Sequence, residues 1–282
     1  MHRVLAKRQL SDEVYQFTVE APLIAEERKP GQFIILQTSD DGERIPLTIA
    51  DADDGAGTIS LVFQTVGKST HLLAALDEGA EIAHLVGPLG TPTHIENFGT
   101  VICVGGGIGV APLHPIAQGM KQAGNHVITI IGARSKELLI LENEMKAIAD
   151  ELIVCTDDGS YGRNALVTEP LKEICERIPK PDMAVAIGPP IMMKFCAETT
   201  RPFEIKTLVS LNTIMIDGTG MCGGCRVSVG GETKFVCVDG PEFDGHKVDF
   251  DLMMRRLGAY KQHEDKAHEK CHMDLGIQDA QQ

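Results

Sequence analysis

A chain of 282 residues, 43% of them hydrophobic, is long enough for two domains and buries ordinary cores. Its net charge of −14 excludes nucleic acid and anionic membrane surfaces as partners. No apolar stretch is long enough to span a bilayer, and Met1-His-Arg-Val-Leu-Ala-Lys7 carries no secretory pattern, so a cytoplasmic location is expected.

Residues 1–95 read as β structure. Short alternating apolar runs recur at 14–19, 33–37, 58–63 and 81–86. They are punctuated by Pro30-Gly31, Asp40-Asp-Gly42, Asp53-Asp-Gly55 and Gly87-Pro-Leu-Gly90. Many short strands with turn signals point to a small antiparallel barrel. One helix is expected at 69–76, capped by Ser or Thr. Arg44-Ile-Pro-Leu-Thr-Ile49 sets a cation and a hydroxyl close together on one strand, suited to a phosphate and a ring nitrogen. A surface Arg beside a β-favouring Thr is the simpler account of the same residues. Gly67-Lys-Ser-Thr70 opens the expected helix, as a second anion site or an ordinary cap.

The pattern changes near Gly99. Apolar strands at 101–104, 127–131, 152–155 and 184–187 alternate with helices at 111–123, 141–149, 165–177 and 191–199, with a last strand at 205–208. That alternation means a parallel α/β sheet. Its first strand runs into Gly105-Gly-Gly-Ile-Gly-Val-Ala-Pro112. A glycine turn feeding a helix brings backbone N–H groups against a pyrophosphate. The standard fingerprint is not met: Val110 stands where the third glycine belongs, and Gly132-Ala-Arg-Ser135 ends the second strand without an acidic residue for the ribose. Two more strand ends, Asp157-Asp-Gly-Ser-Tyr-Gly162 and Gly188-Pro-Pro-Ile-Met-Met193, lie where ligands bind in such sheets. Arg134 is placed to hold a 2′-phosphate, but a lone Arg is a weak sign of NADP.

The most specific signal follows. Asp217, Cys222, Cys225 and Cys237 reproduce the C-x4-C-x2-C…C spacing of a plant-type two-iron, two-sulfur cluster, with aspartate in the first place. Glycines at 218, 220, 223 and 224 suit a loop that must turn tightly and bring N–H groups to sulfur. Cys-x2-Cys is also a zinc knuckle, although zinc sites usually pair two and one is present; the zinc alternative stays open. Cys103, Cys155, Cys175 and Cys196 lie in apolar contexts and read as buried small hydrophobes. A polar tail runs on from Val248. Its His263, His268, Cys271 and His272 match no common zinc spacing.

The order of these pieces resembles the ferredoxin–NADP reductase superfamily across nearly the whole chain. More narrowly it is similar to electron-transfer subunits of the dihydroorotate dehydrogenase type. Asp217 and the length after Cys237 favour the small subunit of NADH-dependent reduced ferredoxin:NADP oxidoreductases, also called the sulfide dehydrogenase beta subunit. The resemblance implies three parts: an FAD-binding barrel (1–97), an NAD-binding α/β domain (98–209) and a cluster segment with tail (210–282). It implies FAD at Arg44, Pro46, Leu47, Thr48, Val62, Phe63, Gln64, Gly67, Ser69 and Thr70. One departure stands out, since superfamily members place the pyrophosphate arginine where this chain has Ile45. It implies NAD(H) at Gly106, Gly107, Gly109, Arg134, Ser135, Asp157, Asp158, Gly188 and Met192, and a 2Fe-2S cluster on Asp217, Cys222, Cys225 and Cys237. Flavin would convert a two-electron hydride into single electrons for the cluster, with no general acid or base on the nicotinamide side. The implied partner is a larger subunit, like the small subunit of glutamate synthase, carrying a second FAD and 4Fe-4S clusters. Ferredoxin would be reached through that electron-bifurcating complex. Service to dihydroorotate or sulfide oxidation is the alternative. A zinc-stabilised nucleotide-binding protein without turnover is the alternative of another class.

Overall fold

A computed structural model describes residues 2–275, apart from the side chains at 272, 274 and 275. The N-terminal part is a nearly closed antiparallel barrel of seven strands in the order β6-β1-β2-β5-β4-β3-β7. They are β1 (His2–Ser11), β2 (Val14–Glu20), β3 (Phe33–Gln37), β4 (Ile45–Asp53), β5 (Thr58–Gln64), β6 (Glu81–Ile82) and β7 (His84–Leu89). Two short helices, α1 (Pro22–Glu27) and α2 (Lys68–Ala74), cover its ends. Period-two alternation turns Phe17, Val19, Ile34, Leu36, Ile49, Ile59, Leu61 and Phe63 into the barrel. Phe17 meets Phe63 edge to face at 5.0 Å.

The expected parallel sheet is present in the order β11-β10-β9-β8-β12-β13-β16. Its parallel strands are β8 (Thr100–Gly106), β9 (His126–Ala133), β10 (Glu151–Thr156), β11 (Arg163–Asn164), β12 (Met183–Ile187) and β13 (Lys206–Ser210). Helices α3 (Val110–Gln122), α4 (Glu142–Ile148), α5 (Thr168–Cys175) and α6 (Pro190–Thr200) make the crossovers. β8 lies between β9 and β12, so the chain reverses its progress across the sheet there. Ligands bind at such a switch point.

The last strand is not the one expected at 205–208. A hairpin of β14 (Arg226–Val229) and β15 (Glu232–Phe235) and a single turn, α7 (Val236–Asp239), come first. Then β16 (Glu242–Asp244) returns antiparallel to β13. The nucleotide sheet therefore extends past residue 209, the boundary expected for that domain. The hairpin turns through Gly230 and Gly231, both at positive φ, as a two-residue β-turn demands. The tail contains an amphipathic helix, α8 (Phe250–Leu257), and a highly charged one, α9 (Lys261–Leu275). Among the described residues no helix is long and apolar enough to cross a membrane.

One apolar cluster joins the outer barrel face (Phe33, Ile35), the parallel sheet and the cluster segment (Leu211, Met215, Cys225, Cys237, Phe243). Among the described residues, those after 209 form no separate core. The four cysteines read as hydrophobes are buried, and burial pushes the thiols of Cys103 and Cys196 up to about 12 and that of Cys175 up to about 11.

Candidate redox sites

The cysteine loop is the most constrained of the three sites. Gly218, Gly220 and Gly223 adopt positive φ. At Gly218 a Cβ would also lie 2.6 Å from Leu89 Cδ1 and 2.9 Å from Ile35 Cγ1, so this turn sits hard against the outer face of the barrel. Cys225 and Cys237 are buried with their sulfurs 3.3 Å apart, and the Cys237 N–H points at Cys225 Sγ from 3.5 Å. Burial and the neighbouring Cys225 push the Cys237 thiol up to about 12. Two buried thiols this close become thiolates together only with a cation between them, which is the donor chemistry of a metal site.

The other two donors are near the surface. Asp217 accepts from the N–H of Thr219 at 3.0 Å and of Cys222 at 2.6 Å. The first of these chiefly holds its carboxyl below the usual range. Cys222 is exposed, and its sulfur accepts from the Gly224 N–H at 3.4 Å. The donors thus form two pairs, Cys225 with Cys237 inside and Asp217 with Cys222 outside. Among the described residues no three His, Cys, Asp or Glu side chains converge on a single ion position. A lone zinc needs its four ligands around one point, whereas a two-iron cluster takes two protein donors per iron. The paired arrangement fits the cluster.

The nucleotide turn is built as the glycines suggest. Gly106 ends β8, Gly107 has φ +54°, and α3 starts at Val110. A Cβ on Gly109 would strike the Ile187 carbonyl, and one on Gly106 would strike Met192 Sδ. A Cβ on Gly188 would lie 2.8 Å from the same sulfur, so Met192 roofs both glycines. Arg134 and Ser135 follow β9, and Asp157 and Asp158 follow β10. The Asp158 N–H donates to the Arg134 carbonyl at 3.1 Å. Hydrogen bonds from Ser160 hold the Asp158 carboxyl below its usual range. Eight of the nine expected nucleotide residues therefore lie in the turns that follow or end sheet strands, and Met192 lies in the first turn of α6.

The flavin residues divide. Pro46 and Thr48 project outward from β4, opposite Ile35 and Phe33 of β3. Arg44 immediately precedes β4 rather than lying on it, and is exposed. With Ile35, Gln37, His84 and Val86 it lines a cleft of about 230 Å³. Leu47 and Phe63 point the other way, towards the barrel core, where Phe63 is buried and Leu47 partly so. Val62 packs under α3 with Val110 and Ala111. The Gln64 amide donates to Glu13 at 3.0 Å. The Thr70 hydroxyl closes its own turn, accepting from the N–H of Val66 and of Gly67, each at 3.1 Å. Ser69 donates to Glu43 at 2.6 Å, so an anionic group already sits beside this turn and next to Arg44. An outward hydroxyl on β4 and an anion-accepting turn are what a flavin ring and its phosphates need. Glu43 carries no motif, and nothing in the sequence singled it out.

Comparison with known proteins agrees with this geometry. Residues 212–249 match the family described as the iron-sulfur cluster binding domain of dihydroorotate dehydrogenase B. A Thermotoga maritima homologue of the dihydroorotate dehydrogenase B (NAD(+)) electron transfer subunit is 46% identical over 270 residues, covering 96% of this chain and 95% of its own. The electron transfer subunit of Bacillus velezensis is 32% identical, covering 87% of this chain and 96% of its own. A chain from a structure of NADH-dependent reduced ferredoxin-NADP oxidoreductase, determined for insight into flavin-based electron bifurcation, superposes with a TM-score of 0.91 at 46% identity. That match covers 96% of this chain and 97% of the other. The Amycolatopsis cytochrome P450 reductase GcoB, at 20% identity and a TM-score of 0.60 over 72% of this chain and 66% of its own, shares the fold alone. Full-length kinship of this kind, with the two-pair donor loop in the matched segment, means that the chain belongs to the dihydroorotate dehydrogenase B electron transfer subunit family.

Proposed function

We propose that this chain is the small electron-transfer flavoprotein subunit of a bifurcating NADH-dependent reduced ferredoxin:NADP oxidoreductase. It carries FAD, NAD(H) and a 2Fe-2S cluster. The observation behind the finer assignment is coverage. The bifurcating-enzyme chain matches this one almost end to end, as does the Thermotoga homologue, whereas the Bacillus subunit matches over nearly its own length yet leaves more of this chain unmatched. Dihydroorotate oxidation is the second reading, favoured by the descriptions of the sequence relatives.

When bound, nicotinamide and flavin supply two-electron chemistry and the cluster accepts one electron at a time. The chain's own residues bind and orient. Gly106, Gly107, Gly109 and Gly188 let the dinucleotide backbone approach, and Met192 closes over that turn. Arg134, Ser135, Asp157 and Asp158 frame its far side. Thr48 and Pro46 offer the flavin an outward strand face. Arg44, Gly67, Ser69 and Thr70 would take its phosphates. Asp217, Cys222, Cys225 and Cys237 would hold the cluster. The surface around the cluster loop carries exposed Ile216, Met221 and Val238, suited to a larger partner subunit.

Affinity purification from the native host, followed by assay of the co-purifying complex, tests the assignment. A larger flavin and iron–sulfur partner, with NADPH-dependent ferredoxin and NAD+ reduction, is expected. Dihydroorotate-dependent NAD+ reduction instead would replace the finer assignment by the second reading.

A further inference from the structure

The tail after Cys237 reaches back to the cluster loop. Its helix α8 is firmly seated: Asp249 caps it by accepting from the Leu252 N–H at 2.9 Å. Lys194 of α6 pairs with Asp251 at 2.8 Å. Phe250 and Met253 are buried in the same apolar cluster as Cys225 and Cys237. Arg256 stands three residues beyond Met253, on the same helix face. Its Nη2 donates to the carbonyl of Gly224, between Cys222 and Cys225, at 3.2 Å. A second guanidinium, Arg226, donates to the neighbouring Gly223 carbonyl at 3.0 Å. The two differ in setting, because Arg256 is half-buried and Arg226 is exposed.

We propose that Arg256 is a positioning residue for the cluster: it fixes the Cys222–Cys225 turn from α8 and supplies a shielded positive charge that favours the reduced cluster. Three thiolates, one carboxylate and two sulfides outweigh two ferric ions. The cluster is thus anionic before it takes an electron and more so afterwards, with no proton needed. A nearby cation lowers the cost of that added charge. A guanidinium on the Gly224 carbonyl also polarises the peptide leading into Cys225. Water screens an exposed charge more than a half-buried one, so Arg256 outweighs Arg226 although both make the same kind of bond. The inference rests on the cluster reading above.

The test is an anaerobic potentiometric titration of the full-length, flavin-loaded chain, following the reduced cluster by electron paramagnetic resonance. Arg256→Gln is expected to lower the reduced-to-oxidised ratio at fixed potential roughly tenfold, a shift of ~59 mV for a one-electron couple. Arg256→Lys keeps the charge and stays near wild type. Arg226→Gln moves the midpoint less than Arg256→Gln. Arg256→His reads the charge within one protein, since imidazole titrates near pH ~6.5: its midpoint should fall towards the Gln value as pH rises, beyond any drift of wild type. An unmoved midpoint in Arg256→Gln overturns the proposal. So does a Lys variant shifted as far as Gln, or a His variant that follows wild type at every pH. Absence of a reduced-cluster signal in wild type would instead overturn the cluster reading, and the proposal with it.

Discussion

Glu242 is expected to make this protein lose stability as pH rises through neutrality. The residue lies on β16, and its carboxylate oxygen accepts from the buried Thr93 hydroxyl at 2.5 Å. Burial raises its carboxyl from an ordinary 4.5 to about 7. A carboxyl raised in the folded state favours folding only while protonated. The contribution is whole below pH 4.5 and is lost as pH climbs through about 7. A rise of that size corresponds to roughly 3 kcal/mol, reduced to about 2 because the side chain keeps some contact with water. Glu242→Gln removes the titration while keeping an acceptor for Thr93. Urea midpoints of wild type and variant, followed by circular dichroism from pH 4.5 to 8.5, should coincide at the acid end. They should separate as pH climbs from 4.5 to about 7 and stay apart above it, with the variant more stable. Parallel profiles across the range would refute the reasoning.

Gly218→Ala should cost about 2–3 kcal/mol and strip cluster absorbance, because positive φ and the contacts with Ile35 and Leu89 both oppose a Cβ; an unchanged visible spectrum and melting temperature would contradict this. Gly106→Ala should weaken NADH binding about tenfold or more by displacing Met192, while flavin content stays at wild-type level; calorimetric titration with NADH checks it. Phe63→Ala should destabilise the barrel by about 3–5 kcal/mol through a core cavity, read as a shift in chemical unfolding. Asp217→Cys should retain the cluster and change its potential, since a carboxylate is a harder donor than a thiolate; an identical midpoint would remove any tuning role for the aspartate.

Much of the fold was legible because apolar periodicity changes from two to strand–helix alternation near Gly99. The four candidate cluster donors stand out by their spacing. Side-chain parity along β4 and β5 was also readable: Ile59, Leu61 and Phe63 alternate inward, which already turns Phe63 away from any outer ligand. Other features had no local signal. β1 has a single fully buried residue, Val4, so its alternation is faint. β16 is three residues long, and its place in the sheet is a tertiary fact. The engagement of Ser69 by Glu43 depends on how the β4 and β5 ends approach each other. The reach of Arg256 to Gly224 spans 32 residues and no motif encodes it. The tail's seat on the barrel is equally non-local: His268 of α9 stacks on His71 of α2 at 4.9 Å between ring centroids.

The stretch just after Cys237 is fastened on two sides. The Thr91 N–H donates to the Gly240 carbonyl at 2.6 Å and the Thr91 hydroxyl to the Val238 carbonyl at 3.2 Å, which ties it to the end of the barrel. The Leu211 N–H donates to the Pro241 carbonyl at 2.9 Å, and β16 then pairs with β13, which ties it to the nucleotide sheet. Cys237, the proposed fourth cluster donor, is consequently anchored to both bodies, and melting either one drags it from its neighbour Cys225. Colour in this protein becomes a gauge of whole-chain integrity: on heating, bleaching of the visible bands and loss of ellipticity should follow a single curve.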